Sequence, residues 1–72
     1  MSEVTLIETL TSDDGALQSE IYANPVRGGY LVKYRDVESG EYFDLIYHFS
    51  DLDYGRSYYA EPFVTGRKPA KR

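Results

Sequence analysis

The sequence predicts an α+β domain: an antiparallel meander of four strands with one short C-terminal helix packed on one face. Three observations lead there. Two runs rich in aromatic and β-branched residues, Tyr30–Tyr34 and Tyr42–Phe49, flank the turn signal Glu38-Ser39-Gly40 and read as one long β-hairpin. A second hairpin signal, Asp14-Gly15, separates Val4–Thr11 from Ala16–Ala23. From Ser50 onward the apolar period lengthens, with Leu52, Tyr59 and Phe63 on one helical stripe.

Val4–Thr11 is rich in β-branched residues and is expected as the first strand. Its alternation places Val4, Leu6, Glu8 and Leu10 on one side and Thr5, Ile7 and Thr9 on the other. In the second strand, Leu17, Ile21 and Ala23 share a face, opposite Gln18, Glu20 and Tyr22. Asn24-Pro25-Val26-Arg27-Gly28-Gly29 then breaks the pattern, because proline lacks a donor and glycine tolerates turn conformations. The third strand, Gly29–Asp36, puts Tyr30, Val32 and Tyr34 on one face and Leu31, Lys33 and Arg35 on the other. The fourth, Glu41–Phe49, groups Phe43, Leu45, Tyr47 and Phe49 as the more apolar face, which is expected to be core. Tyr42, Asp44, Ile46 and His48 face away.

Ser50 is a good N-cap, with Asp53 three residues on as a capping-box acid. The residue before a proline resists helical geometry, so Glu61-Pro62 is expected to end the helix near Ala60. Gly55 weakens it by roughly 1 kcal/mol relative to alanine. The rival architecture is a small five-stranded barrel, with Tyr58–Val64 as a last strand. Residues 1–66 form one domain in this reading, and 67–72 a basic disordered tail.

A chain of 72 residues has a small core, since only about 60% of its unfolded surface can be buried at this size. There is no cysteine to staple it or to make a thiolate metal site. Eight tyrosines and three phenylalanines supply much of the burial instead. No apolar run approaches a membrane span, and Met1-Ser2-Glu3 lacks the start of a signal peptide, so the expected location is cytoplasmic. Residues 1–66 hold all twelve acidic residues against four basic ones, a charge of −8. Arg67, Lys68, Lys71 and Arg72 give the end a charge of +4. An acidic body repels nucleic acid at range and attracts basic surfaces.

Little in the chain points to catalysis or to a cofactor. His48 is the only histidine, and it falls on the less apolar face of its strand. Asp51-Leu52-Asp53 opens like a calcium loop. The glycine position of that loop is Arg56, however, and the glutamate position is Pro62. No catalytic residue, metal ligand or cofactor is therefore assigned. Arg27-Gly28-Gly29-Tyr30-Leu31-Val32-Lys33-Tyr34 partly resembles the first ribonucleoprotein motif of RNA-recognition domains. Arg27, Gly28, Val32 and Tyr34 fit that motif, and Gly29 and Leu31 stand where stacking aromatics belong.

The expected function is that of a small acidic, non-enzymatic interaction domain. Its partner is a protein with a basic, nucleic-acid-binding surface. The expected contacts are Asp36, Glu38 and Glu41 at the hairpin tip, Tyr42 and Asp44 on the fourth strand, and Asp51, Asp53 and Tyr54 at the helix start. In size and charge the chain is similar to small phage-encoded inhibitors of host defence, a likeness of type without a shared motif. No membrane or direct nucleic-acid contact is expected, and either a monomer or a homodimer fits. The alternative is a single-stranded nucleic-acid-binding module that uses the Tyr-rich strands and the basic tail.

Overall fold

The computed structural model describes residues 4–25 and 27–66. The tail expected at 67–72 lies outside the described residues. Four strands, β1 (Thr5–Thr11), β2 (Leu17–Ala23), β3 (Tyr30–Asp36) and β4 (Tyr42–Phe49), form one open antiparallel sheet in the order β1-β2-β3-β4. A helical run follows: α1 (Leu52–Gly55), a π-helical turn (Arg56–Ala60) and α2 (Glu61–Thr65). The α+β meander is therefore the architecture. The barrel alternative fails because Tyr58–Val64 is helical and the sheet does not close.

The core lies between the central strands and the helix. Ile21, Val32, Tyr34 and Ala60 are buried, with Leu10, Tyr30, Phe49, Leu52, Tyr59 and Phe63 packed around them. Leu52, Tyr59 and Phe63 thus carry the helix onto the sheet as their spacing predicts. The buried residues Ser19 and Tyr34 each find a carbonyl for the hydroxyl they bring into this layer. Ser19 Oγ donates to Ala60 O at 2.8 Å, and Tyr34 Oη donates to Tyr59 O at 2.8 Å. Burial and the neighbouring Tyr47 and Tyr59 hold the Tyr34 phenol well above its ordinary value.

Five details differ from the sequence reading. First, of the strand face expected as core, Phe43, Leu45 and Tyr47 are not buried, and only Phe49 packs against the core. Phe43, Leu45 and Tyr47 are 40–45% exposed, and Phe49 is half-buried. The face itself is assigned correctly for the aromatics, since Phe43 packs edge-on against Phe63 and Tyr47 stacks on Tyr59 at 4.6 Å. But β4 is an edge strand, and the helical run packs most closely on β2 and leaves β4 half covered.

Second, alternation along β1 breaks at a bulge between Leu6 and Glu8. The extra residue, Ile7, puts Leu6 opposite Tyr22 while Glu8 and Leu10 lie opposite Ile21 and Ser19, so Leu6 does not share a face with Glu8 and Leu10. Third, the helix N-cap is Asp51 rather than Ser50. Its side chain accepts from the Asp53 and Tyr54 amides at 3.0 and 3.3 Å.

Fourth, the helix runs through Pro62 to Thr65 instead of ending near Ala60. The π turn makes this possible. The Glu61 amide bonds to Arg56 O, five residues back, so the ladder is already widened where proline removes a donor. The carbonyls of Tyr59 and Ala60 lie in that loosened stretch and are the two that accept Tyr34 and Ser19. Gly66, at φ 73°, then caps the helix.

Fifth, Gly55 is more than a weak helix former. It is buried, and a Cβ there would overlap the Phe49 ring. The glycine lets the start of the helix lie directly on the end of β4.

Candidate protein-interaction surface

The β3–β4 hairpin carries the first group of expected contact residues. The Asp36 amide bonds Glu41 O at 2.8 Å and the Gly40 amide bonds Asp36 O at 2.8 Å, closing a loop with Gly40 at φ 79°. The Asp36 carboxylate turns inward, accepting from the Glu38 amide at 3.0 Å and less closely from Ser39 at 3.4 Å. Asp36 therefore builds the turn, while Glu38 and Glu41 are exposed at its tip.

The second group sits at the far end of β4, beyond Phe49. Asp51 and Asp53 are exposed, Asp51 as the helix cap and Asp53 paired with Arg56 Nη1 at 3.1 Å. Tyr54 is exposed and stacks on Tyr58 at 4.4 Å. The two groups are not one patch. Eight residues of β4 separate them, roughly 26 Å at about 3.3 Å per residue. Asp44, exposed on β4 itself, lies between them.

What joins the groups is apolar surface that the sequence reading assigned partly to the core. Along β4, Tyr42, Phe43, Leu45, Ile46 and Tyr47 are each 40–48% exposed. Side chains at an interface centre are typically aromatic or aliphatic and free of charge, with polar groups at the rim. Here the carboxylates of Glu38 and Glu41 border one end of this strip, and Asp51 and Asp53 the other.

Tyr42 belongs to two environments. Its register partner is Arg35, on the sheet face away from the helix. There its hydroxyl donates to Glu20 Oε1 at 2.9 Å, and Tyr22 Oη donates to the same oxygen at 2.6 Å. Glu20 is only 6% exposed, so these bonds hold a buried carboxylate. Desolvation, with Glu20 next, pushes the Tyr22 phenol well above its ordinary value. Lys33 Nζ lies over the Tyr42 ring at 4.4 Å and over the Tyr22 ring at 5.7 Å. Arg35 stands 5.8 Å from the Tyr42 centroid, with its Nε buried and without a hydrogen-bond partner. No local pattern announces this Glu20 cluster, because its members come from three strands.

The helix side holds one further polar contact. Arg56 bonds both Glu8 oxygens from Nε at 3.1 and 3.0 Å and reaches Oε1 from Nη2 at 2.7 Å. Hydrogen bonding to Glu8, followed by its charge, raises Arg56 above its ordinary value. This fork ties the start of the helix to β1.

Among the described residues no group of three or more His, Cys, Asp or Glu side chains converges as a metal site. Among them, too, no helix is long and apolar enough to cross a membrane. His48 is exposed on β4. No known protein family, curated protein or solved structure matches this chain.

Proposed function

We propose that the chain is a non-enzymatic protein-interaction domain that binds a basic surface of a partner protein, of the kind that ordinarily holds nucleic acid. By covering that surface it acts as an inhibitor, in the manner of the small phage-encoded proteins it is similar to in size and charge. One observation carries the reading: five large apolar side chains lie exposed along β4 between carboxylates at both ends. Summed charge steers the encounter, and desolvated apolar side chains set the residence time.

The alternative reading, single-stranded nucleic-acid binding, is favoured by Lys33 and Arg35 beside Tyr22 and Tyr42 on the open sheet face. Against it, both tyrosine hydroxyls are spent on Glu20, and Lys33 lies over the Tyr42 ring. Bases would have to displace that cation to stack there.

The deciding experiment captures the partner from the native host and titrates it, and separately a single-stranded oligonucleotide, against wild type and the Glu38→Lys, Glu41→Lys double variant. Association with the protein partner should slow with added salt and with charge reversal, while stability stays nearly constant because both residues are exposed. Leu45→Ala should mainly speed dissociation. Tight oligonucleotide binding that improves on charge reversal would sink the proposal.

A further inference from the structure

The outer edge of β4 has a backbone as well as side chains to offer. Antiparallel ladders alternate, so each residue bonds to only one neighbouring strand. The Asn24 amide bonds Gly29 O at 3.0 Å, just beyond the Ala23–Tyr30 pair. Counting inward in twos, Leu31, Lys33 and Arg35 bond toward β2, and Tyr30 and Val32 bond toward β4. Their partners Phe49 and Tyr47 bond back. Ile46 and His48 are left with N–H and C=O groups directed away from the sheet.

Edge strands that must stay unpaired usually carry lysine, proline or a distortion. Tyr42–Phe49 contains neither lysine nor proline. It does carry a distortion: Lys33 faces Ile46 but Arg35 faces Tyr42, so two extra residues bulge near Asp44. The regular open edge is therefore the short stretch from Ile46 to Phe49. At the opposite edge, β1 is bulged at Ile7, and its Glu8 is held in the Arg56 fork.

From this we infer that the Ile46–Phe49 edge receives an extended segment of the partner as a fifth strand, and that this segment is apolar at its centre and lysine- or arginine-rich at its ends. The inference rests on the protein-interaction reading above and specifies how the contact is made. The charge requirement follows from the flanks, Glu41 and Asp44 before the open stretch and Asp51 after it, all exposed. It also argues against a second copy of this chain as occupant. Antiparallel self-pairing of this stretch would bring the acidic flank at Glu41 and Asp44 of one copy toward Asp51 of the other at both ends, a like-charge approach. A basic segment meets the same groups as attractions, and main-chain bonds to Ile46 and His48 supply register.

The probe is a blocked peptide of alternating valine and threonine with two lysines at each end, added to the isotope-labelled full chain at up to millimolar concentration. Amide exchange at Ile46 and His48 should slow by about tenfold or more on saturation, while Tyr47 and Phe49, already bonded within the sheet, change little. The same peptide with glutamates for lysines should bind about tenfold more weakly. Unslowed exchange at Ile46 and His48 with the lysine peptide overturns the inference. Protection that grows with protein concentration alone, without peptide, assigns the edge to a second copy and overturns it equally. A captured partner that binds salt-dependently yet leaves both amides exchanging freely overturns the fifth strand and spares the broader reading. Association insensitive to salt and to the Glu38→Lys, Glu41→Lys change overturns the broader reading itself.

Discussion

Replacing Gly55 by alanine sets two effects of opposite sign against each other. In a helix interior, alanine is favoured over glycine by about 0.8–1.0 kcal/mol. Gly55 has ordinary helical geometry, at φ −64° and ψ −40°, so backbone strain does not enter. The new Cβ, however, would overlap the Phe49 ring at Cγ, Cδ2 and Cε2. Cγ is the root of the ring, so rotation about its axis gives no relief. Either the helix lifts or the whole ring leaves its place between Tyr30 and Tyr59, whose centroids lie 6.0 and 5.7 Å away. Overpacking of this sort costs about 1–3 kcal/mol. The net effect is a loss of about 0–2 kcal/mol, hence a melting midpoint lower by up to roughly 15 °C for a domain of this size. Thermal and urea unfolding measure it. In a Phe49→Ala background the same change should turn neutral or stabilising, the signature of a direct clash in a double-mutant cycle. A Gly55→Ala protein that melts higher than wild type would refute the claim that glycine is there for close approach.

Two further outcomes follow from burial and hydroxyl bonding. Ile21→Ala should cost about 2–5 kcal/mol in urea unfolding, because Ile21 is fully buried, whereas Leu45→Ala should cost under about 1.5 kcal/mol. Equal losses would mean that β4 is covered in solution. The Tyr34 phenol is raised above its ordinary value of 10.0 in the folded chain, so above about pH 10 the unfolded state sheds that proton first and folding stability falls. Tyr34→Phe should lower stability at neutral pH by about 1 kcal/mol through the lost bond to Tyr59 O. It should also flatten the alkaline decline, read from urea midpoints on either side of pH 10.

The meander was legible because every strand carries a local pattern and every break carries turn chemistry. Gly15, Gly28, Gly29 and Gly40 all take positive φ in the loops where the sequence put the turns. The helix stripe was legible for the same reason. Coverage was not. Period two tells which residues share a face, but not how far a helix covers that face, so Phe43 and Leu45 read as core although they lie at a half-covered edge. Bulges hide equally well: nothing in Leu6-Ile7-Glu8 announces the extra residue. Pro62 is an ordinary stop signal that a π turn overrides. Of the candidate surface, Glu38, Glu41 and Asp44 were legible from turn and strand patterning. The apolar strip between the acidic ends was not, because its exposure depends on how far a helix extends.

Every strand in this sheet pairs with its immediate neighbour in the chain. Each ladder is thus closed by a short turn, and the loop entropy of forming the sheet is collected in small steps. Among the described residues, the side-chain hydrogen bonds of longest span join helix to sheet. Tyr34 to Tyr59 bridges 25 residues, Ser19 to Ala60 bridges 41 and Glu8 to Arg56 bridges 48. Short loops close at least entropic cost, so the expected order is hairpins first and helix docking last, which φ-values at Ile21 and Tyr59 would check. A sheet without its docked helix would expose Ile21 and Val32 in addition to β4, so a variant that weakens docking is expected to associate through both faces, which light scattering during refolding measures.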